Sequence, residues 1–85
     1  MKIKTYLVEF KTAEIVLKMA SDKLDESPNS KKAYNEFKKA EKEWESAFEK
    51  FANEFSEITH KERNTKFDLY VRTNLGKIEE VIGRI

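Results

Sequence analysis

KKAYNEFKKAEKEWESAFEKFANEFSEI, residues 31–58, decides the fold class. Its apolar positions are Tyr34, Phe37, Ala40, Trp44, Phe48, Phe51, Phe55 and Ile58, spaced 3, 3, 4, 4, 3, 4 and 3. That interval stacks side chains on one face of an α-helix. Ala33 and Ala47 flank the stripe, and the remaining face is Lys and Glu, with Lys39–Glu43, Lys50–Glu54 and Glu57–Lys61 at i,i+4. Residues 29–75 contain no proline or glycine. One helix of about 30 residues, roughly 45 Å long, is therefore expected over about 28–60.

Glu26-Ser27-Pro28-Asn29-Ser30 punctuates the chain before it, since proline suits a first helical turn and Ser27 stands where a cap is needed. Further upstream, Ile3, Leu7, Phe10, Ala13, Leu17, Ala20 and Leu24 share a face and predict a helix over about 3–25. Downstream, Asn64 is a turn residue and Thr65 a cap. Phe67, Val71, Leu75, Ile78, Ile82 and Ile85 then predict a third helix over about 65–83, weakened by Gly76. The expected architecture is all-α: an antiparallel, up-down-up three-helix bundle with a long central helix, a single domain spanning residues 1–85. The alternative is α+β, with short strands near 2–10 and 66–73, because Ile3, Tyr6, Val8 and Phe10 are good β formers and Phe67, Leu69 and Val71 alternate with polar neighbours.

Charge supports the bundle. Lys31–Lys42 is mostly basic and Glu43–Glu62 mostly acidic, so antiparallel neighbours would set Arg63, Lys66, Arg72 and Lys77 beside the acidic half, and Asp22, Asp25 and Glu26 beside Lys31 and Lys32. In total, 17 basic residues face 16 acidic ones, a net charge of +1. That balance gives no global attraction to phosphate or to an anionic membrane. Only three of the basic residues, Arg63, Arg72 and Arg84, offer the planar fork that recognises phosphate and base edges bidentately.

The 85 residues lack cysteine, which excludes disulfides, thiolate nucleophiles and cysteine-ligated metals. Glu9, Lys11 and Glu14 interrupt the N-terminal segment, which therefore lacks the apolar core of a signal peptide, and no apolar run approaches membrane-spanning length. A cytoplasmic location without membrane association is expected.

No catalytic pattern rises above background. His60 is the sole histidine, flanked by Glu57 and Glu62, and reads as a surface residue, because a metal site needs three or four ligands. Glu43, Glu45 and Glu49 lie on a solvated helical face without the pocket that acid–base work requires. The two glycines are isolated, so there is no phosphate loop. No enzyme, cofactor or metal is expected, and no motif diagnostic of a family is present.

Two features suggest a protein interface instead. The aromatic stripe of Tyr34, Phe37, Trp44, Phe48, Phe51 and Phe55 is rich for so small a domain, and a helix of about 30 residues would project beyond partners of about 20, leaving part of it, Tyr34, Phe37 and Trp44, bare. Val8, Ile15 and Met19 form a second stripe opposite the first on helix 1. Leu69 and Tyr70 lie off the main face of helix 3. These eight residues are the candidate interface. The expected function is a small non-enzymatic protein-binding module, an inhibitor, adaptor or assembly factor of the kind phages and mobile elements encode, and a homodimer. The alternative is a nucleic-acid-binding regulator using Lys31, Lys32, Lys38, Lys39 and Lys42.

Overall fold

The computed structural model describes residues 2–84, and every regular element among them is helical. In order they are α1 (Ile3–Glu26), α2 (Lys31–Thr59), α3 (Thr65–Thr73) and α4 (Leu75–Gly83). The strand alternative fails on burial. In residues 2–10 the buried positions are Ile3, Leu7 and Phe10, a helical interval, whereas Val8, which a strand would place on the same face as Phe10, is 63% exposed.

α1 and α2 are antiparallel because residues 27–30 reverse the chain between them. The Ser30 amide donates to the Ser27 carbonyl at 3.0 Å, and the Ser30 hydroxyl accepts from the Ala33 amide at 3.2 Å. The cap is thus Ser30, not Ser27, and α2 starts at Lys31 rather than 28, since Pro28 and Asn29 are consumed by the turn. At its far end α2 closes through two bonds, His60 N–H to Glu57 C=O and Lys61 N–H to Ser56 C=O, with His60 left-handed at φ 56°. Lys61 therefore lies beyond the helix, out of the i,i+4 register expected with Glu57. Asn64, expected as a turn residue, caps α3 by accepting from the Phe67 amide at 2.8 Å, while Thr65 is already helical.

The largest departure from the sequence reading is at Asn74. The expected third helix over 65–83 is two helices of nine residues each, and the chain turns back between them. α3 runs down the second half of α2, with Phe67 against Phe55 and Arg72 over Trp44. α4 then returns along α1, where Lys11 meets Glu79 at 2.8 Å. Val81 comes to share a cavity with Phe67 and Tyr70. A continuous helix would carry Ile78 and Ile82 past the core. The turn returns them to it at 1% and 2% exposure, and burying two such side chains, worth about 1.5–3 kcal/mol each, outweighs a few helical hydrogen bonds at about 1 kcal/mol each. Ile85, the last member of the apolar stripe, lies outside the described residues.

The core occupies only the half of the α1–α2 hairpin that the short α3–α4 hairpin covers, here called the base. Ile3, Leu7 and Phe10 meet Phe48, Phe51, Ala52 and Phe55 from α2 and Phe67, Val71, Ile78 and Ile82 from the covering pair. The Phe10 ring lies 5.6, 5.5 and 5.8 Å from Trp44, Phe48 and Phe51. Towards the α1–α2 turn, the tip, the buried residues are Ala20, Ala33 and Ala40. The molecule is elongated, 45 × 24 × 18 Å.

Candidate functional site

Because α3 and α4 stop short of the tip, the hairpin has two open sides: a front, on which α3 and α4 lie, and a back. On the front, beyond Leu75, an open groove of about 670 Å3 runs between α1 and α2. Leu17, Phe37, Trp44 and Leu75 form its apolar floor, Ile15 its α1 rim, and Lys11, Glu14 and Lys18 its charged edge. Trp44 is held in place: its ring stacks on Phe48 at 5.4 Å, and the Arg72 guanidinium lies 5.3 Å above it. The groove is thus built on the packed base but extends onto the tip.

The eight candidate interface residues do not form one surface. Ile15, Phe37 and Trp44 converge on the front groove. Val8 and Met19, exposed at 63% and 56%, border the back of the hairpin instead, together with Val16. Tyr34 is exposed near the tip, with Lys38 Nζ 5.7 Å from its ring centroid. Leu69 and Tyr70 are exposed on α3. The bare part of α2 is not an overhang beyond its neighbour, as α1 matches it with 24 residues; it is the stretch that α3 and α4 fail to reach. Val16, Leu17 and Leu75 were missed as surface residues. The signal for Val16 was the run Val8, Thr12, Val16, Met19 at helical spacing; Leu17 and Leu75 had none, since both sit on core stripes.

Charged groups tie the base together. Arg63 donates to Glu49 at 2.7 Å, to Asn53 at 2.8 Å and to Asp68 at 2.9 Å, joining α2 to the start of α3. The hydrogen bond from Arg63 lowers the Glu49 pKa below the ordinary carboxylate value, and the bonds to Glu49 and Asp68 raise that of Arg63. Of the expected charge neighbours, Arg63 meets the acidic half of α2 as an ion pair; the one in-helix pair found among the described residues is Lys38–Glu41 at 3.6 Å, not Lys39–Glu43 or Lys50–Glu54.

Lys31, Lys32, Lys38, Lys39 and Lys42 are all exposed. Lys39 shares its cavity with Glu36 and Glu43, and Lys32 shares one with Glu26 and Glu36. Among the described residues no group of three or more His, Asp or Glu side chains is placed to hold a metal ion, and no helix is long and apolar enough to cross a membrane. No family model, characterised protein or solved structure matches the chain.

Proposed function

We propose that this chain is a small non-enzymatic protein-binding module that acts by occupying the surface of a partner protein, as an inhibitor, adaptor or assembly factor, with the front groove as its contact. The observation that carries this reading is the pair Phe37 and Trp44, half-buried on the floor of a groove that α4 leaves open. An aromatic anchor surrounded by apolar and charged rim residues is the arrangement in which a few side chains supply most of the binding energy. The lysine segment supports a nucleic-acid reading less well, because Glu36, Glu41 and Glu43 are interleaved with it and Lys38 is already paired.

Trp44 is the only tryptophan, so the groove reports on its own occupancy. A partner captured by the wild-type chain from its host and then purified is expected to shift Trp44 emission to the blue on mixing and to lose binding with Phe37→Glu. A partner whose binding leaves Trp44 emission and the Phe37→Glu variant unaffected rules the groove out. Duplex or single-stranded DNA bound at about 50 mM salt and released near 200 mM would favour the lysine segment instead.

A further inference from the structure

The back of the hairpin carries a second surface, independent of the front groove. It is a shallow trough floored by Ala13, Ala20, Ala40 and Ala47, with Val8, Val16 and Met19 along its α1 wall. Val16 and Glu43 line both its base half and its tip half and therefore mark its midpoint.

The charges around that midpoint are ordered. Glu9 and Lys50 stand at the base end, Lys23 and Glu36 at the tip end. In sequence, Glu9 and Lys23 lie seven residues either side of Val16, and Glu36 and Lys50 seven residues either side of Glu43. Seven residues are about two helical turns, or about 10.5 Å. A half-turn about an axis crossing both helices at Val16 and Glu43 therefore lays these four charges on opposites: Glu9 on Lys23 of the copy, and Lys50 on Glu36 of the copy. It also lays Val16 on Val16, and brings Val8 and Met19 of the two chains towards one another. Glu43 meets its own copy at the axis, with Lys39 one turn away on each chain to compensate. The other face-to-face half-turn, along the hairpin, would set α1 on α2 and also pair Glu9 with Lys50 and Lys23 with Glu36 of the copy, so the charges fit both. It differs in pressing both Glu43 carboxylates onto the apolar Val16 side chains at the centre, where no lysine of the facing helix meets them.

Surface area supports such a copy. The chain exposes 6267 Å2, where a compact monomer of 10.1 kDa exposes about 5,300 Å2. The surplus, about 1,000 Å2, belongs to the elongated shape and to both open sides of the hairpin together, and is of the order of the roughly 800 Å2 that each partner contributes to a standard interface. We propose that the back of the hairpin binds a second copy of this chain, α1 antiparallel against α1, across a two-fold axis at Val16. The resulting dimer carries two front grooves facing away from its axis.

The chain has no cysteine, which makes the axis testable directly. Light scattering on a sizing column is expected to report twice the 10.1 kDa chain mass. A residue on a two-fold axis meets itself, so Val16→Cys should form an intermolecular disulfide, which requires Cα atoms within about 7 Å. Val8→Cys, eight residues off the axis, should not. Glu9→Lys should raise the dimer dissociation constant about tenfold, as two exposed ion pairs become like-charge contacts, and Glu9→Lys combined with Lys23→Glu should restore it. Phe37→Glu, on the front, should leave the dimer intact. Circular dichroism on each variant confirms that the helices persist. A monomeric wild type throughout a dilution series, a Val8→Cys chain that cross-links as readily as Val16→Cys, a charge swap that fails to rescue, or a dimer lost with Phe37→Glu would each overturn the proposal.

Discussion

At the base of the hairpin Phe48, Phe51 and Phe55 are 7%, 0% and 6% exposed, whereas towards the tip Phe37 and Trp44, on the same stripe of the same helix, are only half-buried. The two regions have the same periodicity, the same lysine and glutamate face and the same antiparallel partner in α1. They differ in whether a third layer lies over them. Two helices bury their facing residues, and at the tip those are mainly alanines; large side chains pointing slightly aside need α3 or α4 to close over them. An aromatic stripe is therefore core or binding surface according to what covers it, and its spacing cannot say which.

The contrast predicts unequal costs for equal truncations. Phe51→Ala is expected to destabilise by about 3–5 kcal/mol, a large share of the total for a domain of this size, while Phe37→Ala should cost about 1 kcal/mol. Urea unfolding of the two variants gives the comparison directly. Costs equal within error would mean that the tip is packed as well as the base.

A smaller effect tests what fastens the covering layer. Arg63→Met removes the link from α2 to the start of α3 and should cost about 1–2 kcal/mol, the ion pairs being partly exposed and screened. Its pH dependence follows from Glu49. With its folded pKa depressed by Arg63, Glu49 contributes stability that is present above the unfolded carboxylate value and lost as pH falls through the folded one. The acid limb of the wild-type stability curve should therefore be steeper than that of Arg63→Met, and amide exchange in the variant should rise in α3 and α4 before it rises at the tip.

The smallest effect is a gain. His60 occupies a left-handed position that glycine adopts without strain, so His60→Gly should stabilise by about 0.5–1 kcal/mol. If the base is one cooperative unit, its slowest-exchanging amides should slow accordingly. Slowing confined to the end of α2 would show that the base opens in pieces.

The helical class, the extent of α1 and the length of α2 were legible in the sequence because they depend on periodicity and on local stops: Ile3, Leu7 and Phe10 repeat at a helix interval, and Pro28 marks the reversal. The turn at Asn74 was not legible. The stripe from Phe67 to Ile82 continues at helical spacing across it, and Asn74 followed by Gly76 is a weak signal against so regular a pattern. Which side of the chain Ile78 and Ile82 could bury themselves against depended on Ile3, Leu7 and Phe51, distant in sequence, and the gain from reaching them exceeded the local preference for an unbroken helix. The exposed stripe of Val8, Ile15 and Met19 was visible in the sequence, yet its division between a front groove and a back trough depended on the side to which α4 returned. The sequence by itself determined the helices and their apolar faces, since those rest on interactions within a few residues. Only the tertiary structure decided which faces are covered, since that rests on where a short third layer ends.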